Sequence, residues 1–182
     1  FESPTGTIMR TEGGSIMVKD GERSWSGAYA GSPELYVALQ QNTTGSQNIA
    51  IGHSTMAANT TGAFNSAVGF KSLRFNVVGS NNTAFGSYAL HYNTTNNNSA
   101  FGYKALFANT TGTNNTAIGS FSLQQNTISL GNTAVGYASL NNNTTGSYNV
   151  AVGGWALTGN TTGANNSAFG YYALKNNTIG IR

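Results

Sequence analysis

Acid–base or metal chemistry in this chain would depend on two histidines and five carboxylates, because the sequence has no cysteine. The carboxylates all fall at the start of the chain, none of them beyond Glu34: Glu2, Glu12, Asp20, Glu22 and Glu34. His53 and His91 stand at different places in the repeat described below, and neither has a carboxylate nearby in the sequence. Paired acids, a metal-ligand set and a nucleophile–histidine pair are therefore missing from the pattern. The sequence predicts a protein that is not an enzyme and that needs no metal or cofactor.

Asparagine is the residue whose spacing is most regular. The tripeptide Ala-apolar-Gly occurs eight times, and each of its glycines lies seventeen positions after the previous one, except for one step of sixteen. These strand glycines are Gly52, Gly69, Gly86, Gly102, Gly119, Gly136, Gly153 and Gly170. Four residues before each glycine is an asparagine of the strand Asn column: Asn48, Asn65, Asn82, Asn98, Asn115, Asn132, Asn149 and Asn166. Seven residues after each glycine is an asparagine of the turn Asn column: Asn59, Asn76, Asn93, Asn109, Asn126, Asn143, Asn160 and Asn177, with Asn42 as an extra member.

These columns indicate how the elements must be arranged. Seventeen residues rich in Asn, Gly and Thr leave no useful helix, but at about 3.3 Å per residue they span about 56 Å, enough for two short strands and two corners. We therefore predict an all-β fold, a parallel β-roll or β-helix solenoid of about eight 17-residue coils. Stacking would turn each column into a ladder, in which an asparagine amide can bond its neighbours and cap turn carbonyls.

The chain divides into residues 1–41, predicted to be an N-terminal cap or connector with two or three strands, and residues 42–182, the solenoid. Ser32 and Pro33 could begin a helical turn that runs to Gln41. Alternatively, Ala38, Leu39 and Asn42 fit the repeat columns and would form a half coil. The single shorter step, near Asn96 to Asn98, predicts a shortened turn.

Each predicted strand is apolar on both faces, since a strand alternates its side chains. Alanine precedes each strand glycine by two residues, and a larger apolar residue separates them in the outward column: Ile51, Val68, Phe85, Phe101, Ile118, Val135, Val152 and Phe169. If alanine lines the interior, the larger residues form an apolar stripe that a three-fold bundle of rods would bury. The alternative is a monomeric β-helix with the larger residues inside.

Aromatic residues lie one or two positions after nearly every strand glycine. We consider four of them as candidate glycan contacts, because rings stack on sugars: Tyr103, Tyr137, Trp155 and Tyr171. The alternative is that the rings pack on one another or between subunits.

Charge and hydropathy exclude other classes of partner. The net charge is +3, but only 7% of residues are charged and no basic run could follow a phosphate backbone, so we expect no nucleic acid. No segment approaches the roughly 18 apolar residues of a membrane span, so we expect no membrane insertion. Pairs of adjacent threonines, such as Thr60 and Thr61, suggest a further alternative, in which an array of hydroxyls binds ice.

Two strings, residues 48–54 (NIAIGHS) and 115–119 (NTAIG), resemble the head repeats of trimeric autotransporter adhesins, the YadA-like left-handed parallel β-roll. The longer unit with Asn-Thr-Thr-Gly corners is similar to repeats of phage tail fibres and bacterial fibre proteins. The resemblance implies a left-handed, homotrimeric, extracellular fibre on a virion or a cell surface, whose partners are other fibre or virion proteins and surface glycans. The predicted function is a structural and adhesive fibre segment for host attachment, on a phage virion first. A bacterial adhesin head and a monomeric ice-binding β-helix are the alternatives.

Overall fold

One 12-stranded sheet runs the length of the molecule in sequence order. The computed structural model describes residues 38–180 in full and, before them, the backbone of four strands: β1 (Glu2–Ser3), β2 (Gly6–Thr11), β3 (Gly14–Lys19) and β4 (Ser24–Tyr29). Eight short strands follow: β5 (Ile49–Ile51), β6 (Ser66–Val68), β7 (Thr83–Phe85), β8 (Ser99–Phe101), β9 (Thr116–Ile118), β10 (Thr133–Val135), β11 (Val150–Val152) and β12 (Ser167–Phe169). Strands β1 to β4 are antiparallel to one another, whereas β4 to β12 are parallel.

The register pairs equivalent repeat positions throughout the eight short strands. Ala84, for example, lies between Ala67 and Ala100, and Phe85 pairs with Phe101. Residues 38–180 contain no helix. The predicted fold class is confirmed: the chain is an all-β parallel solenoid, and bonded partners on neighbouring coils typically lie 17 positions apart in the chain.

Each coil contains one strand, and the prediction of two strands per coil is wrong. The residue four positions after the strand glycine, leucine in seven coils and Met56 in the first, has a left-handed backbone with φ between 47° and 51°. An extended strand cannot pass through that conformation. The coils are still bonded on this side, as in Leu90 N–H to Ala105 O at 3.0 Å and Leu106 N–H to Ser122 O at 3.1 Å.

The interior is filled by the alanine and leucine columns, whereas the outward column faces solvent. Ala84, Ala100 and Leu106 have no exposed surface, but Phe85 and Phe101 are 39% and 40% exposed. The alternative with the large residues inside is therefore wrong. The strand glycine closes the strand at a φ of 118° to 137°, and in the first seven coils the added Cβ of any other residue would meet the backbone of the next coil.

Residues 38–42 occupy the repeat columns, as the half-coil alternative predicts. Ala38 is fully buried, Leu39 N–H donates to Thr55 O at 3.1 Å, and Asn59 Nδ2 donates to Asn42 Oδ1 at 2.7 Å. The predicted helical turn from Ser32 falls largely outside the described residues.

The shortened coil absorbs its missing residue in a turn. In most other coils a glycine follows the two turn positions, and its carbonyl accepts an asparagine amide from each column, as Gly79 O does. Ser129 takes this position in one coil, and its carbonyl accepts only the amide of Asn115. In the shortened coil Thr95 O takes that place, accepting Asn82 Nδ2 at 2.7 Å and Asn93 Nδ2 at 2.8 Å. Strands β7 and β8 on either side remain in register.

Candidate functional site

The strand Asn column forms a continuous amide ladder inside the coil. Asn65 Nδ2 donates to Gly79 O at 2.8 Å and to Asn48 Oδ1 at 3.2 Å. Asn65 Oδ1 in turn accepts the backbone N–H of Asn82 at 2.9 Å and its Nδ2 at 3.1 Å. Similar bonds recur from coil to coil, so this column ties every coil to the next one.

The turn Asn column forms a second ladder that meets the first. Asn76 Nδ2 donates to Asn59 Oδ1 at 3.2 Å and to Gly79 O at 2.8 Å. Gly79 O therefore receives an amide from each column, as do the carbonyls of Gly62, Gly112, Gly146 and Gly163. Fifteen of the sixteen predicted ladder asparagines are buried, and Asn177 on the last coil is partly exposed. These side chains hold the coil together and are not presented to a ligand.

Threonine hydroxyls form a third ladder outside the coil. Thr110 Oγ1 donates to Thr127 O at 3.1 Å, and Thr127 Oγ1 donates to Thr144 O at 3.0 Å. The neighbouring column, which includes exposed Thr111, is interrupted by Val78 and Ile128, which are 56% and 54% exposed. The two adjacent threonines therefore do not build a flat array of free hydroxyls.

The outward column forms an apolar stripe on the open face of the sheet. Exposed fractions in the stripe are 52% for Ile51, 42% for Ile118 and 70% for Phe169. Phe85 and Phe101 stack with their centroids 5.4 Å apart and an interplanar angle of 8°. A stripe of this kind along a rod is a surface that another chain can cover.

The candidate glycan contacts belong to a continuous ladder of rings. The ring centroids of Tyr103 and Phe121 are 5.3 Å apart, those of Phe121 and Tyr137 are 5.7 Å apart, and those of Tyr137 and Trp155 are 5.1 Å apart. All three pairs meet edge to face. From the third to the seventh coil the ring alternates between one and two residues after the strand glycine, and successive rings meet edge to face. In the last coil Tyr172 stacks on Trp155, with an interplanar angle of 20°. The rings therefore pack on one another, as the alternative interpretation predicts. The tyrosines nevertheless remain open, at 41% for Tyr103, 49% for Tyr137 and 69% for Tyr171.

A cluster of rings and cations on the second to fourth coils was not predicted from the sequence. We call it the basic aromatic cluster. It comprises the cations Lys71, Arg74 and Lys104 and the rings of Phe70, Phe75, Tyr88, His91, Tyr92, Tyr103 and Phe107. The signal that could have found it is the irregularity of the two positions after the leucine column. These positions carry Arg, Phe, His, Tyr, Phe and one Ala in the cluster, and Gln, Asn, Thr or Gly in the next three coils.

His91 lies at the centre of the basic aromatic cluster and is 5% exposed. Its ring stacks on Phe107 at 5.3 Å, and its Nδ1 lies 2.8 Å from Lys71 O. Because a carbonyl only accepts, Nδ1 carries the proton in this bond. Burial, with further contributions from the charges of Arg74 and Lys71, holds the pKa of His91 below its ordinary value of 6.5, although the bond to the Lys71 carbonyl acts in the opposite direction.

The histidine fills a structural position of the repeat. Three coils later, Asn141 Nδ2 donates the equivalent bond to Phe121 O at 2.8 Å. A neutral side chain with one donor at this place is therefore sufficient for the fold.

The described residues provide no group of three His, Cys, Asp or Glu side chains that could bind a metal ion. Nor does that part of the chain contain a helix with the length and apolar character to cross a membrane. Comparisons with protein-family models, curated proteins and solved structures found no match. The geometry of the chain itself therefore carries the functional argument.

Proposed function

We propose that this chain is a rigid structural and adhesive segment of a homotrimeric extracellular fibre, most simply a phage tail or other virion fibre that serves host attachment. Its partners would be two further copies of itself, neighbouring fibre or virion proteins, and surface glycans. The left-handed winding and the threefold assembly implied by the resemblance belong to this proposal.

The exposed outward column is the observation that carries the proposal. In a single chain this column leaves Ile51, Phe101 and Ile118 between 40% and 52% exposed, in line on one face of the sheet. Apolar surface costs about 25 cal/mol for each Å² left in water, so a continuous stripe favours association. Parallel rods packed side by side would cover the stripe along its whole length.

The ladders support the structural part of the proposal. Neighbouring coils are bonded through the sheet and both Asn columns, and in most coils also through a threonine hydroxyl, and the turns are short. A rod with so many coil-to-coil bonds resists bending and offers few long loops to proteases.

The native mass of the protein in solution tests the assembly. Light scattering coupled to size exclusion is expected to give three times the 18.9 kDa mass of the chain. A mass of 18.9 kDa would overturn the trimeric fibre, since the apolar stripe would then be stable in water.

A bacterial cell-surface adhesin head that binds glycans is the second candidate. The open tyrosines of the ring ladder favour it, because exposed rings beside Asn and Thr suit sugar stacking. This candidate shares the trimeric rod and differs in the particle that carries it. Immunogold labelling of virions and of cells would distinguish the two locations.

The monomeric ice-binding alternative has less support. The first threonine of the pair donates its hydroxyl to the next coil, and the second column contains exposed Val78 and Ile128. A thermal hysteresis assay tests it directly, and a hysteresis gap from an 18.9 kDa species would favour it over the fibre.

A further inference from the structure

The basic aromatic cluster is not required by the repeat. At the first position after the leucine column, the fifth to seventh coils stack in the same way with Gln124, Asn141 and Thr158 in place of charged or aromatic residues. Equivalent positions in the second to fourth coils carry Arg74, His91 and Phe107. Side chains that the architecture can do without, gathered on three neighbouring coils, indicate a ligand.

Among residues 38–180, charge is concentrated in the cluster, and no carboxylate side chain of that part of the chain opposes it. Three of the four Lys and Arg side chains between residues 38 and 180 lie in it, and there is no Asp or Glu after Glu34. Lys71 Nζ lies 5.8 Å from the Tyr88 ring, Lys104 Nζ lies 5.4 Å from the Phe107 ring, and those two ring centroids are 6.1 Å apart. Both ammonium groups therefore flank one pair of rings. The contact with a ring attracts a cation but does not neutralise it, so the cluster favours an anion.

The rings offer flat surface next to the cations. Phe75 and Tyr92 stack with an interplanar angle of 2°, and they are 38% and 44% exposed. Arg74 lies with its guanidinium carbon 5.1 Å from the Phe75 centroid. An apolar ring face beside a planar guanidinium suits a ligand that combines a C–H face with a carboxylate.

We infer that the basic aromatic cluster is a binding site for an acidic oligosaccharide, whose sugar stacks on the open rings while Lys71, Arg74 and Lys104 bind its carboxylates. This site would give the proposed adhesive function its class of ligand, and to that extent the inference rests on the proposed function. A nucleic acid is disfavoured, because a strand needs a track of cations. Beyond the cluster, Lys175 is the next cation in the sequence, four coils away.

Calorimetric titration with tri-galacturonic acid tests the inference, with maltotriose as the neutral control. The acid is expected to bind with a Kd below about 1 mM and to weaken as salt is raised, whereas maltotriose binds at least about tenfold more weakly. Equal binding of the two sugars would overturn the site. So would tighter binding of an oligothymidylate carrying the same number of charges, which would indicate a nucleic-acid surface instead.

The variants Lys71→Gln and Lys104→Gln locate the site, and Lys175→Gln is a matched control. Lys175 also lies over a ring, at 4.3 Å from Tyr172, but outside the cluster. Each cluster variant is expected to weaken the binding of tri-galacturonate about tenfold, the usual contribution of a charge-assisted contact. The control is expected to change the Kd by less than about twofold. Thermal unfolding of each variant checks that the fold is retained. Equal losses in all three variants would overturn the location.

The mass of the same sample separates this inference from the fibre proposal. Binding by an 18.9 kDa species would keep the site and overturn the fibre. A species of three times that mass that does not bind would overturn the site and leave the fibre, because three chains would still be assembled.

Discussion

A buried asparagine in the strand Asn column uses every hydrogen-bonding position that its side chain has. The two protons of Asn65 Nδ2 go to Gly79 O and Asn48 Oδ1, and its Oδ1 accepts two protons from Asn82. An aspartate has no donors for the first two bonds, and a glutamine amide would lie one methylene further out. This requirement explains why the column contains asparagine in every coil.

Removing one ladder side chain is expected to be costly. Asn65→Ala leaves the buried backbone N–H of Asn82 without its partner and removes one hydrogen bond from each of the neighbouring amides of Asn48 and Asn82. We expect the free energy of unfolding to fall by about 3 kcal/mol. Asn142→Ala is the control, because Asn142 is exposed, and should change it by less than about 0.5 kcal/mol. Urea unfolding monitored by circular dichroism measures both. Equal effects of the two variants would contradict the importance of the ladder.

His91 makes the stability of the rod depend on pH. Its pKa in the folded chain is below 6.5, first because it is buried and then because Arg74 and Lys71 are near. As pH falls through about 6.5, the unfolded chain therefore takes up the proton before the folded chain does. The contribution is fully present above pH 6.5 and is lost as pH falls from there toward the lowered pKa.

The variant His91→Asn isolates this contribution. Asparagine can donate the bond that Asn141 donates at the equivalent position, and it does not titrate. Thermal unfolding between pH 8 and pH 5 is expected to show a smaller fall in Tm for the variant than for the wild type, although the variant starts lower because it loses the stack on Phe107. Parallel pH profiles would show that His91 does not carry the effect.

At the scale of the coil, the sequence predicted the parallel stack and its register but not the number of strands. Equal spacing of the Ala-apolar-Gly tripeptide requires identical positions to lie above one another, and Ala84 does pair with Ala67 and Ala100. The second predicted strand fails at the leucine column, whose left-handed backbone is unusual for leucine. Propensity gives no signal for that conformation, because the coil-to-coil bonds and the burial of leucine impose it.

The shortened coil allows a test of how a coil accommodates length. A glycine inserted between Thr95 and Asn96 restores the Asn-Thr-Thr-Gly corner, and its carbonyl can take over the two amides now bound by Thr95 O. We expect Tm to change by no more than about 3 °C, roughly 1 kcal/mol.

The matched insertion places a glycine between Ala117 and Ile118 in β9. It shifts the strand by one residue and turns its inward side chains outward, so Tm should fall much further. Scanning calorimetry compares the two proteins. A similar loss in both would mean that the corners are as constrained as the strand.

At the scale of the whole molecule, the alternation of side chains did not decide which face of the strand lies inside, because both faces are apolar. The sequence nevertheless holds a signal that decides between them. The column that lies inside is alanine in all eight coils, whereas the outward column varies among Ile, Val and Phe. Coils stacked directly on one another must have the same cross-section, so an interior column tolerates little change in volume. Variation between repeats therefore marks the surface, but it does not say what covers that surface.

Charge placed in the outward column tests what covers it. Phe101→Glu puts a carboxylate in the middle of the proposed interface, where burial of an unpaired charge is too costly for the trimer to persist. The mass should fall from that of three chains toward the 18.9 kDa of one. Val78→Glu is the control, because Val78 is more exposed than Phe101, at 56% against 40%, but lies in a turn outside the sheet. Dissociation by Val78→Glu with Phe101→Glu still trimeric would move the interface from the sheet to the turns. If both variants keep the mass of the wild-type trimer, neither surface lies between the subunits, and the proposal that a second copy covers the outward column is wrong.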